Sequence, residues 1–506
     1  MFRDESSKVI QKAHAQWGTA GSPPSAASAS TASSSASWAS SPTASTNDIR
    51  SPVADSPQSP AEMVLSRNME LLSPKLHAKI EPTLEQRGLR FFVEQYLMKS
   101  PDAPQASRHL AVYSGSSEAM QTVMIAVGLA GLSNRQADRA MNLVARQKYT
   151  TALKQTGQLI AAGPSDTVSV MGPLRAVVTL AMFEVVQGKG SRLSTGTANI
   201  HIFGAIALLK HVVPTSQVPV AGARAILQLM FSLFIPSQVT DTPMSPQFFE
   251  VLAMTRQILP PEEHCCCDLA VAIARFLDIL AISKSPHLLD GHVQSDEVFQ
   301  QLLGMDAVLG RLEEQLRLSF PFSIETVPRD FPPQAVFRGK YHRYLEIEGA
   351  RLWNHLRWAR ILCVQRVIDL GKTLPQSYGH VVSPTQTDHC YSTAQRMAED
   401  IITSTPSHWH HPILTDAQAR KLGAIGKGGT GATGIPGLLW HLKIAGCAPG
   451  VPQEFWNWSY EVAQVVWKTM GMQHALALSE VMEGHRAGQE KEAIDRLIKV
   501  EEEEEW

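Results

Sequence analysis

The chain of 506 residues is 44% hydrophobic and 18% charged, the balance of a folded protein with a lightly charged surface, which excludes a chain disordered throughout. Forty-five basic against forty-seven acidic residues give a formal net charge of -2, which excludes the strongly basic overall field of a protein that lives on phosphate backbones, although a local basic patch stays open. Six cysteines, three adjacent at Cys265, Cys266 and Cys267 and the rest at Cys363, Cys390 and Cys447, make no disulfide framework, so the chain reads as intracellular and reducing.

The start, Met1-Phe2-Arg3-Asp4-Glu5, is charged at once and has no apolar core of a secretion signal. From Gly18 to about residue 60 Ser, Ala, Thr and Pro dominate, with too few large apolar side chains to offset the entropy of ordering, so 18–80 is expected to be a disordered linker. Its Ser-Pro pairs, among them Ser41-Pro42 and Ser56-Pro57, suit proline-directed kinases.

Beyond about residue 80 apolar positions follow helical spacing almost everywhere, and no segment keeps a strict alternation, so the expected fold class is all-α. A first clear helix carries Met120, Val123, Met124 and Val127 on one face and is expected to end near Gly131. Ser133 followed by Gln136 has the spacing of a capping box and is expected to start the next helix, whose stripe runs through Met141, Ala145, Tyr149, Ala152, Thr156 and Ile160. The two should form an antiparallel hairpin.

Further helices are expected at 197–212, 222–234, 245–258, 266–283, 294–318, 340–371, 386–403, 452–470 and 473–497, giving helix pairs stacked in series over 81–499 as one body. No fixed-period repeat accompanies them. The longest apolar stretch, Ala225 to Pro236, is broken by Gln228 and too short to span a bilayer, so no membrane partner is expected. Loops are expected at 213–221, 321–339 and 404–436, a kink or break at Gly172-Pro173, and a solvated acidic tail at 500–506.

In order along the chain stand Arg87-Gly88-Leu89-Arg90-Phe91-Phe92, then Ala126-Val127-Gly128-Leu129-Ala130-Gly131-Leu132-Ser133-Asn134-Arg135, then Ala145-Arg146-Gln147-Lys148-Tyr149. Later come His201, Gly204, Ala205, Leu208 and Leu209; Trp353-Asn354 with Arg357 and Arg360; Asp400-Ile401, Ser404 and Pro406; Leu439-Trp440-His441-Leu442; and Gly471-Met472-Gln473-His474-Ala475-Leu476. By this ordered set residues 85 to 490 resemble the fungal-specific transcription factor domain that follows a zinc binuclear cluster in many fungal regulators.

Residues 1–17, beginning Met1-Phe2-Arg3-Asp4-Glu5-Ser6-Ser7-Lys8-Val9, resemble the segment directly after that cluster. The cluster itself needs six cysteines in two close-set groups, and this sequence has no C-x2-C pair, so zinc is expected only if a cysteine cluster lies upstream. Thr197, Ala198 and Asn199 also stand where relatives often place an aromatic residue before the His201 position.

The resemblance implies a nuclear, and in part cytoplasmic, transcription regulator that is not an enzyme. It implies action through the transcription machinery or a DNA-binding partner protein, with self-association allowed. DNA would be reached only through that partner or through an N-terminal module beyond this sequence. Control of a secondary-metabolite gene cluster is the family-level expectation. A helical interaction scaffold unrelated to transcription is the alternative, and an enzyme or small-ligand carrier the third reading.

Few constellations carry chemistry. His408, His410 and His411, with His441 and Cys447 downstream, are metal-ligand types without an established zinc spacing, and surface loop is the plainer account. Adjacent cysteines diverge by about 100 degrees on a helix, so 265–267 read as a partly buried helix start. Gly426-Lys427-Gly428-Gly429-Thr430-Gly431 lacks Walker spacing.

Arg357 and Arg360 share a face with Trp353 and Val364, beside an apolar stripe of Leu352, Leu356, Ala359, Cys363 and Val367. Packing with paired arginines is the plain account. An anionic effector at Arg357, Arg360 and Trp353 is the functional one.

Overall fold

The computed structural model describes residues 82–96, 117–162, 167–188, 195–212, 218–285, 288, 294–422 and 434–498, all within one compact unit, Ile80–Trp506. The expectations for 1–17, for the Ser-Pro linker 18–80, for the Gly-rich 426–431 and for the tail 500–506 lie outside the described residues, as does most of the 213–221 loop.

The described body is all-α apart from one small hairpin. α1 (Leu84–Gln95) opens on a capping box in which Thr83 and Gln86 satisfy each other's backbone N–H at 3.2 and 3.0 Å. α2 (Glu118–Gln136) buries the expected Val123, Met124 and Val127, with Met120 at its edge.

Contrary to expectation α2 does not stop at Gly131, and Ser133 starts no helix. Its hydroxyl turns back to the Ala130 carbonyl at 2.8 Å, the chain breaks at Ala137 with φ +52°, and Asp138 caps α3 (Arg139–Ala161) by accepting from the Met141 N–H. Gly131 serves packing instead: a Cβ there would lie 2.3 Å from the Tyr96 hydroxyl and 2.7 Å from the Met470 carbonyl. α2 and α3 form the expected hairpin, with Met141, Ala145, Ala152 and Thr156 turned inward.

α4 (Thr167–Gln187) runs through Gly172-Pro173 without the expected break. Proline forfeits one backbone bond there. The helix beyond it is held by burial of Leu174, Val177, Leu180, Phe183 and Val186, which together outweigh that loss.

α5 (Thr195–Val212), α6 (Val220–Phe231), α7 (Phe234–Thr240), α8 (Pro246–Ile258), α9 (His264–Lys284) and α10 (Ser295–Ser319) follow. The apolar run proves longer than expected: Val220–Thr240 has the length and hydropathy of a membrane span. Half of it is buried inside the body, and it breaks into α6 and α7 around Ser232, the pattern of a core element.

β1 (Phe322–Thr326) and β2 (Lys340–Tyr344) pair antiparallel, Phe322 opposite Tyr344 and Ile324 opposite His342, where a loop followed by a helix from 340 was expected. Two five-residue strands are too short for alternation to show above the helical pattern. The long helix therefore starts late, as α11 (Ile347–Thr373).

α12 (Pro375–Val381), α13 (Pro384–His408), α14 (Asp416–Lys421), α15 (Gly434–Gly446), α16 (Gln453–Met470), α17 (Gln473–Arg486) and α18 (Glu490–Ile498) complete the body. α13 passes beyond the expected end at 403, with Pro406 inside it, and the single helix expected over 473–497 is two, divided at Gly488 with φ +74°.

Helices pair in series, α2 with α3, α9 with α10, α11 with α13 and α15 with α16. In addition the two ends meet, since α2 packs on α16 and α4 on α17. Tyr96 donates to the Met470 carbonyl, and the Asn134 amide donates to both Val186 and Gly471 carbonyls at 2.8 Å. A solenoid in which each repeat touches only its neighbours has no such closure.

Candidate functional site

α11 is buried continuously from Leu352 to Val364, yet it carries Asn354, His355, Arg357 and Arg360 in that stretch. A helix enclosed on every side has to place its polar groups inside the protein, where each needs a partner. Three polar networks result.

Arg360 faces α10 and α13. Its guanidinium takes Asp306 by two bonds at 2.9 and 3.2 Å and also reaches Glu313. Arg396 adds 2.6 and 3.1 Å bonds to Glu313, and His389 meets Asp306 at 2.9 Å. Burial raises the Glu313 carboxyl, but Arg396 and Arg360 more than offset this and hold it below its ordinary range.

Arg357, fully buried, faces the hairpin instead. It donates to the Tyr344 hydroxyl at 2.7 Å and to Asn354 Oδ1 at 3.0 Å, meets His342 Nδ1 at 3.2 Å, and lies 5.2 Å from the ring centres of Phe322 and Trp353. Asp400 Oδ2 is 3.7 Å from its Nε. Trp353, in turn, gives its indole N–H to the Phe320 carbonyl at 2.8 Å. Burial pushes the Tyr344 phenol up to about 12 and, with Arg357 and His408 nearby, pushes His342 down to about 2.

Asn354 joins this network to the next. Its oxygen accepts from Arg357 and from Ser404 at 3.0 Å, so its amide nitrogen donates to His408 Nε2, also at 3.0 Å. The other ring nitrogen of His408 is turned to the Ala350 carbonyl.

The third network gathers His355, His408 and His441 with Arg351 and Trp358. The His355 and His441 rings stand at 87° with centres 4.8 Å apart, and Trp358 lies 6.5 Å from each. Phe231 and Phe234 close the other side, 5.0 and 6.4 Å from His355. Burial first, and then Arg351, pushes His355 and His408 down to about 3; burial with the neighbouring histidines and Arg357 pushes His441 down further. All three are neutral at physiological pH.

The anticipated effector residues therefore lie together on α11 but face different partners, with Arg357 and Arg360 both engaged by side chains of the protein itself. The His408, His410 and His411 tract does not converge. His408 enters the core, His411 accepts the Ile413 N–H at 3.1 Å in its own loop, and among the described residues no group of three or more His, Cys, Asp or Glu is arranged to hold a metal. His441 does approach His408, through His355, whereas Cys447 lies beside Lys443 and Glu490. Cys265, Cys266 and Cys267 are buried at the start of α9.

Arg351, His355 and Trp358 were missed from the sequence. The available signal was a helix whose apolar residues occupy every face, which makes any interleaved Arg or His internal. No family model, no curated protein and no solved structure matches the chain.

Proposed function

We propose that residues 81–499 form the regulatory body of a transcription regulator of the fungal-specific type, acting in the nucleus through protein contacts and effector sensing and not as an enzyme. One observation carries the reading. Several of the segments whose order makes the resemblance, scattered over 85–490, meet in space: Gly131 and Asn134 against Gly471, Tyr149 against His201, and Trp353, Asn354 and Arg357 against Asp400, Ser404 and the His408–His441 cluster.

In this reading DNA is reached through a partner protein, or through a zinc-binding module beyond this sequence, and the body contacts the transcription machinery or a second copy of itself. Control of a secondary-metabolite gene cluster belongs to the same proposal. The test is tethering: the chain is fused to an unrelated DNA-binding module above a reporter. Expression several-fold above or below that of the module alone is the expected result. Equal expression from fusion and module, with the fusion present in the nucleus, overturns the proposal in favour of a scaffold outside transcription.

A further inference from the structure

Four polar atoms of the third network are sealed from solvent and have no hydrogen-bond partner within the protein: Arg351 Nε, His355 Nδ1, Trp358 Nε1 and His441 Nε2. Trp358 is fully buried, and His355 and His441 are 8% and 4% exposed. Such atoms are uncommon singly in a folded protein, because each carries a desolvation cost of about 1–3 kcal/mol. Four on neighbouring side chains of two helices that pack together mark a site.

Their chemistry is one-sided. Indole N–H and guanidinium Nε–H only donate, and an unpaired nitrogen of a neutral imidazole donates in one of its two tautomers. The Arg351 guanidinium stands here with one acid acting on it, Glu348. A water between the Trp358 indole and the Arg351 guanidinium would find two donors and no acceptor for its own protons. A group that only accepts and carries negative charge meets the same atoms without that conflict.

We propose that the core between α11, α13 and α15 binds a small apolar carboxylate. Its oxygens take the N–H groups of Trp358, Arg351 and the His355–His441 pair, and its hydrocarbon part lies toward Phe231 and Phe234. Arg351 is placed for this by α15: a Cβ on Gly434, the first residue of that helix, would fall 2.7 Å from Arg351 Nη2, so the guanidinium lies directly on the backbone there. The site is distinct from the Arg357–Arg360 face, whose donors are mostly taken up internally. It is argued from its own donors and stands whether or not the chain regulates transcription.

The test uses the purified full chain with acetate, propionate and benzoate as probes, in a chloride buffer of constant ionic strength, followed by calorimetric titration. At least one probe is expected to bind saturably at one per chain. Arg351→Met and His441→Phe should each weaken it at least tenfold while keeping a cooperative thermal transition. Should either variant fail to fold, the wild-type chain with nitrogen-15-labelled tryptophan and histidine is the second measurement: the same probe must move the Trp358 indole and the His355 and His441 ring resonances together. Absence of saturable binding by all three probes, binding unaltered in folded variants, or unmoved resonances under saturating probe would each overturn the assignment.

Discussion

Replacing Gly128 by alanine adds one methyl group and, by helix propensity alone, should stabilise α2 by about 1 kcal/mol. The packing reverses the sign. The new Cβ would sit 1.8 Å from the Gly88 carbonyl oxygen and 3.0 Å from the Phe92 backbone nitrogen. A carbon and a carbonyl oxygen settle no closer than about 3.3 Å, so α1 must retreat by about 1.5 Å. Both offending atoms are backbone, and no rotamer change relieves them.

α1 buries Phe91, Phe92, Val93 and Tyr96 along that contact. Burying four such side chains contributes on the order of 8 kcal/mol, and a gap of this size forfeits a third to a half of it. After the propensity gain, Gly128→Ala should destabilise by about 2–3 kcal/mol, a Tm lower by about 2–3 °C. Gly157 in α3 is the control, being exposed with no atom within 4 Å of a built Cβ, so Gly157→Ala should raise Tm by about 1 °C. Differential scanning calorimetry of both variants decides it. A Gly128→Ala protein as stable as Gly157→Ala would refute the close approach of α1 and α2.

Acid should weaken the fold well before its carboxylates titrate. Burial depresses His342 to about 2 and His355 and His408 to about 3, with His441 also held low, whereas unfolded histidine titrates near 6.5. Because the unfolded chain binds these protons first, the stability is complete above about pH 6.5 and is lost as pH falls toward 3; four histidines at about 1 kcal/mol each make roughly 4 kcal/mol by pH 5.5. Urea midpoints at pH 7.5 and 5.5 measure this, and equal midpoints would contradict the buried histidines. Separately, Arg360→Met removes the central cation from between Asp306 and Glu313 and should cost about 3–5 kcal/mol. Adding Asp306→Asn and Glu313→Gln should restore most of that loss in the same unfolding assay, and a neutral single variant would be incompatible with the network.

Helix content was legible because many helices of this body keep one apolar face, as α16 does at Phe455, Trp458, Val462 and Val466. Boundaries were less so. Ser133-Gln136 satisfies the capping-box spacing, but that pattern says nothing of the Ala130 carbonyl that captured the hydroxyl, and Asp138 five residues later made the cap. The hairpin was hidden by strands of five residues, and Pro173 and Pro406 failed to end their helices because burial outweighed one lost backbone bond. The face of α11 bearing Trp353, Arg357 and Arg360 was readable from spacing. That Arg360 would meet α10 while Arg357 met β2 depends on elements more than a dozen residues away, and local periodicity carries no such information.

The three networks on α11 bear differently on what the body is for. The Arg360 cluster is self-sufficient, charge set against charge at bonding distance, and such an arrangement can be exchanged for apolar side chains with little loss of stability. It fixes how α10, α11 and α13 register. The Arg351–His355–Trp358–His441 group has no such closure, since its donors outnumber the acceptors the protein brings to them. A scaffold that works by presenting its surface gains nothing from unsatisfied donors in its core and bears their desolvation cost at every moment. A sensor does gain, because the same donors return that cost when an acceptor arrives, and the fold is then more stable with its ligand than without. The imbalance inside α11 is what the proposed effector sensing would need and a surface-only scaffold would not, and the proposed sensing group, Arg351 with His355, lies within the two turns before Arg357.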